Sequence, residues 1–67
     1  MDLIKVASSN IDSIGFDENG LTVRFKSGNT YQYGDVDLTL FNEFLNSGSK
    51  GQFFNTKIKS KTYTKVG

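Results

Sequence analysis

The chain has 67 residues, a net charge of +1, and neither cysteine nor histidine. A chain this short forms one domain, residues 1–67, and buries only about 60% of the surface its unfolded form exposes. It can carry no disulfide, and it lacks both thiolate ligands and the imidazole that usually serves as metal ligand or as general base at neutral pH.

Stability must therefore come from apolar burial. Six Phe and three Tyr stand among the 67 residues, and each ring can bury roughly 150–250 Å². Most of these rings are expected in the core. Residues 3–7 alternate weakly and read as a short edge strand, broken by Ser8, Ser9 and Asn10. Residues 11–18 form the next strand, with Ile14 and Phe16 on one face. Asn19-Gly20 then signals a hairpin of type I′, which needs positive φ at both central residues. Residues 21–26 return with Leu21, Val23 and Phe25 inward and Thr22, Arg24 and Lys26 outward. With Asn19 and Gly20 as the two loop residues, Phe16 faces Val23 and Ile14 faces Phe25.

The following turn, Lys26-Ser27-Gly28-Asn29, decides where Tyr31 and Tyr33 point. A three-residue bulged loop with Gly28 left-handed puts Tyr31 opposite Val23, on the apolar face. A two-residue loop puts both tyrosines beside Lys26 and Arg24 on the other face, because a one-residue slip exchanges the faces. Ser-Gly after a lysine suits a type I turn with a glycine bulge, so the apolar face is preferred.

Gly34 and Asp35 form a turn and Asp37 is an N-cap for a helix over 38–47. Leu38, Phe41 and Leu45 make its apolar stripe with Phe44 beside it, and Gly48 is expected to end it in the left-handed conformation. Ser49-Lys50-Gly51-Gln52 matches a capping box for a second helix over 50–57, weakened by Gly51 in its first turn and presenting Phe54 and Ile58 with Phe53 flanking. In the tail, Lys61, Tyr63 and Lys65 alternate with Thr62, Thr64 and Val66, as a late strand or a disordered end. The fold class is α+β: an antiparallel meander of about three strands, then two short helices packed on one face.

Charge is segregated. Residues 1–49 hold three cations against seven acids, whereas residues 50–67 hold five lysines and no acid. Such asymmetry suits a nucleic-acid or acidic-partner surface, or a solvated tail. Chemistry is sparse. Ser8 or Ser9 near Lys5 lacks the base and oxyanion site a nucleophile needs, and both read as turn residues. The acids sit at turns and caps and form no metal loop. Gly48-x-x-Gly51 resembles a phosphate-clamping GXXG loop only superficially, since capping explains it. Asn55 beside the two phenylalanines is expected to bond backbone near the second strand and hold the helix down. No apolar run approaches the roughly 20 residues of a membrane span. MDLIKV also lacks the features of a signal peptide, so a cytoplasmic, non-membrane protein is expected.

An ordered set of residues resembles the KTSC domain, a short bacterial and phage module named from the C-terminus of some lysyl-tRNA synthetases. The set comprises Ser8-Ser9 before Ile14-Gly15-Phe16, Phe25-x-x-Gly28-x-x-Tyr31-x-Tyr33, the helix around Leu45, Ser49-x-Gly51-x-Phe53-Phe54-Asn55 with Ile58, and Tyr63. It runs from about residue 6 to 66. Asp37 after Val36 departs from the family, which often has proline there; one helix-start signal replaces another. Attachment to a tRNA-charging enzyme implies RNA binding. The expected function is thus a small non-enzymatic module without cofactor or metal, a monomer or weak oligomer. RNA or other nucleic acid would be held by Arg24, Lys50, Lys57, Lys59, Lys61 and Lys65 on phosphate, with Tyr31, Tyr33 or Tyr63 stacking on bases. The alternative is a protein-interaction module that docks an acidic partner or pairs through an open sheet edge.

Overall fold

In the computed structural model, which describes residues 3–67, the strand signals fall in chain order along one antiparallel sheet. Its strands are β1 (Ile4–Lys5), β2 (Ile11–Asp17), β3 (Gly20–Phe25), β4 (Thr30–Tyr33) and β5 (Thr64–Lys65), with spatial order β1-β2-β3-β4-β5. The expected three-strand meander is β2 to β4. Short strands extend it at both edges, and helices α1 (Leu38–Leu45) and α2 (Lys50–Phe53) cover one face.

The β2–β3 hairpin turns where expected but with a different loop. Asp17 pairs with Gly20, so Phe16 faces Leu21 and Ile14 faces Val23. Asn19 does not take positive φ, and Gly20 alone does, at +103°. The cause is Asp17, whose carboxylate accepts the Asn19 N–H at 2.8 Å and so folds the turn one step earlier. The offset is two residues, so every side chain keeps its expected face. Beyond Ile14 a bulge between Ile11 and Ser13 brings Ile11 opposite Phe25. Ile11 and Ile14, three apart, can both be fully buried only because of that extra residue.

The β3–β4 turn takes the bulged form. Gly28 has φ +104°, its N–H donates to the Phe25 carbonyl at 3.0 Å, and the Phe25 N–H donates to Asn29 at 2.8 Å. Tyr31 therefore faces Val23 and Tyr33 faces Leu21 on the apolar side.

Asp37 caps α1, its carboxylate accepting the Leu40 N–H at 2.8 Å. Asp37→Ala is expected to lower stability by about 1 kcal/mol in urea denaturation, and a loss below a few tenths would deny the cap its role. The helix ends at Leu45 rather than at residue 47, and Gly48 is not left-handed. The Ser47 hydroxyl does that work instead, donating to the Phe44 carbonyl at 2.8 Å, while the Asn46 amide adds a second bond, at 2.9 Å, to an Asn42 carbonyl that already accepts the Asn46 N–H. Phe41 and Phe44 are buried, whereas Leu38 is exposed, one turn too early to reach the core.

Ser49 caps α2 by accepting the Gln52 N–H at 3.3 Å, but the Gln52 side chain makes no return bond among the described residues. After Phe53 the helix widens into a π-helical turn, Phe54–Ile58, closed by the Lys59 N–H on the Phe54 carbonyl at 2.8 Å. Phe54 and Ile58 are its buried residues. Phe53 stacks on Phe44, centroids 5.4 Å apart, and joins the helices.

The tail is a strand. β5 pairs with β4, placing Lys65 opposite Tyr31. Thr30 extends the pairing: its carbonyl accepts from Val66 at 2.8 Å and its N–H donates to Gly67 at 3.0 Å. None of the described helices is long and apolar enough to cross a membrane.

Candidate nucleic-acid interface

Alternation along β4 and β5 sends Tyr31, Tyr33, Tyr63 and Lys65 toward the helix-covered side of the sheet. The rings form a closed circuit. Phe25 meets Tyr31 at 5.7 Å, Tyr31 meets Tyr63 at 5.3 Å, Tyr63 meets Tyr33 at 5.7 Å, Tyr33 meets Phe54 at 5.5 Å, and Phe54 returns to Phe25 at 5.4 Å. All but one of these contacts are edge-on, the favoured arrangement of ring quadrupoles.

Exposure grades across the circuit. Tyr33 is 4% exposed, Tyr31 is half-buried, and Tyr63 is 55% exposed. Burial, and after it the neighbouring Tyr63 and Tyr31, pushes the Tyr33 phenol above its ordinary pKa, so it stays protonated. Tyr33 thus supports the circuit from beneath, while Tyr63 presents a ring to solvent. Lys61 and Lys65 stand two residues to either side of it. Lys65 is exposed, and Lys61 reaches the Asp35 carboxylate at 3.6 Å, a surface pair of small energetic value.

The remaining cations are dispersed. Lys57 and Lys59 are exposed on and just after the π-helical turn. Lys50 is half-buried and donates to the Ser47 carbonyl at 2.7 Å. Arg24 is exposed, but it faces Ser13 and Thr30 on the sheet side opposite the tyrosines, so it does not belong with them.

Asn55 does not hold the helix down. Its side chain is exposed and makes no hydrogen bond among the described residues. Instead it lines a polar groove of about 540 Å³ between the Ser8–Asn10 turn and the start of α2. Ser8 has the turn role expected of it: its hydroxyl donates to Asn10 Oδ1 at 3.1 Å and accepts the Asn10 and Ile11 N–H groups at 3.4 and 3.3 Å. A side chain on Gly51 would meet Asn10 Oδ1 at 3.3 Å, so glycine there lets the walls approach. The sequence marks Ser8 and Ser9 as turn residues and residues 49–52 as a capping box, but holds no local signal that these two segments meet. Among the described residues no group of three or more His, Cys, Asp or Glu could hold a metal ion.

The KTSC domain family model matches residues 7–63. A lysine–tRNA ligase of Trichormus variabilis is 49% identical over 41 residues, which cover 61% of this chain but 7% of that protein. A protein of Tsukamurella paurometabola is 38% identical over 58 residues, covering 84% of this chain and 87% of that one. The crystal structure of a KTSC domain protein from Yersinia pestis superposes with a TM-score of 0.89 at 38% identity, over 98% of this chain and 97% of that chain. The chain thus corresponds to a small part of the ligases it matches and to nearly the whole of two short proteins.

Proposed function

This chain belongs to the KTSC domain family, and from that premise we propose that it is a small, non-enzymatic module that binds single-stranded RNA through Tyr63 and the C-terminal lysines. The observation that carries this reading is the half-exposed Tyr63 ring, braced on Tyr31 and Tyr33 and followed in the strand by Lys65. An aromatic face beside cations holds a base by stacking and its phosphates by charge, without reading sequence strongly. The resemblance of 41 residues to a segment of lysine–tRNA ligases, enzymes named for a tRNA substrate, adds support from context. A cytoplasmic setting follows from the same reading.

In this role Tyr63 stacks, Lys57, Lys59, Lys61 and Lys65 contact phosphate, and Tyr31 and Tyr33 fix the ring. Tyr63→Ala is expected to weaken binding of a mixed-sequence single-stranded RNA by about 1–3 kcal/mol. Binding should also fall with salt at a log–log slope of roughly −3, from about −0.7 per neutralised phosphate. NMR titration of labelled protein at low and moderate salt checks both. Shifts around Tyr63 that survive moderate salt support the proposal. Shifts confined to the lysines and abolished by salt overturn it, leaving an acidic protein as the partner to seek.

A further inference from the structure

The polar groove between the Ser8–Asn10 turn and α2 carries a second, independent assignment. We propose that it binds a phosphate group. Among the described residues its lining contains no carboxylate, although the chain has seven acids, and no aromatic ring. What it does contain is hydroxyls, side-chain amides and one ammonium, all able to donate. Lys50 brings the one positive charge of the lining; its ammonium gives one proton to the Ser47 carbonyl at 2.7 Å and has two more. Asn10 has its carbonyl oxygen occupied by the Ser8 hydroxyl at 3.1 Å, which leaves its amide hydrogens free. The Gln52 and Asn55 side chains make no hydrogen bond among the described residues, and Thr56 adds a hydroxyl.

Three considerations select the ligand. A cation has no carboxylate to bind. A nucleobase has no ring to stack on. An oxyanion takes donors from several directions at once, and hydrogen bonds to it are charge-assisted. The groove, at about 540 Å³, is wider than one phosphate ion, so a phosphate carried on a larger molecule fits it better. The π-helical turn sets Asn55 and Thr56 on the wall, and such widened turns occur frequently at functional sites. This assignment does not need the Tyr63 interface; the groove stands apart from the tyrosine circuit in its lining.

The test is NMR titration of the whole chain with inorganic phosphate, ribose 5-phosphate and ribose at constant ionic strength. Phosphate and ribose 5-phosphate are expected to shift the amides of Ser9, Asn10, Gln52 and Asn55, with ribose inert. Asn55→Ala, a change at an exposed and unbonded residue, should weaken phosphate about tenfold, the loss of one hydrogen bond to a charged group. Lys50→Gln should do at least as much, and the unchanged spectrum elsewhere verifies the fold of each variant. Equal shifts with ribose overturn the assignment, as do phosphate shifts confined to residues 57–65 or binding that persists undiminished in both variants. A groove indifferent to phosphate in a protein whose Tyr63 still responds to RNA removes this assignment alone.

Discussion

Phe44→Ala is expected to leave a large fraction of the protein unfolded at 25 °C. Phe44 is the largest of the fully buried side chains, and its ring stacks at 20° on Phe53, so it links α1 to α2 as well as to the sheet. Truncating a buried Phe costs about 3–5 kcal/mol, since the transfer loss is joined by a cavity that neighbours fill only in part. At roughly 0.05–0.15 kcal/mol per residue, a 67-residue chain has about 3–10 kcal/mol in all. The single change therefore consumes much of the total. Urea denaturation followed by circular dichroism reads the effect, with Leu38→Ala as the comparison. Leu38 lies on the same helix but is 56% exposed, and its truncation should stay within about 0.5 kcal/mol. Similar losses from the two variants would contradict the packing of α1 described above.

A second large effect is expected at the first hairpin. Gly20→Ala meets two penalties: φ of +103°, which L-residues rarely adopt, and a Cβ pressed against the Tyr33 carbonyl oxygen and within 2.9 Å of Gly34 Cα. Both neighbours are backbone and cannot swing aside. Gly28→Ala has only the first penalty, because nothing lies within 4 Å of its Cβ position. The expected losses are above about 3 kcal/mol for Gly20 and about 1–2 kcal/mol for Gly28. Denaturation of both variants under identical conditions decides the matter; equal losses would mean that β3 and β4 separate easily at that point. The Gly20 variant should also disturb the tyrosine circuit, since Tyr33 is the residue it displaces.

Much of this architecture was legible because its signals are local. Asn19-Gly20, Ser27-Gly28, Asp37 and Ser49 each act within a few residues, and each turns or caps the chain in the structure. The alternation of Leu21, Val23, Tyr31 and Tyr33 needed only the correct loop length to give the core face. The misses arose where one side chain outbid another for the same backbone group. Asp17 took the Asn19 N–H and moved the turn, and Ser47 satisfied the Phe44 carbonyl that a left-handed Gly48 would have capped. Two features had no local signal at all. The π-helical widening answers to packing of Phe54 and Ile58 against the sheet, and the groove arises because the β1–β2 connection lies beside a helix far along the chain. Arg24 is expected on phosphate with the lysines, but the bulged turn at Gly28 sends the tyrosines to the other face of the sheet and leaves it apart from them.

The seam between β4 and β5 bears on the order in which the protein assembles. Strands β1 to β4 are a meander of neighbours joined by short loops, whereas β5 is separated from β4 in sequence by both helices, a longer loop with a larger entropy to close. It then holds on through a two-residue ladder and a few bonds to Thr30. Such an edge opens and closes many times for each global unfolding. Tyr63 rides on that edge, so undocking of the strand would part its ring from Tyr31 and Tyr33. Any molecule that grips the ring in its docked position would slow hydrogen exchange at Val66 and Gly67 without touching either residue.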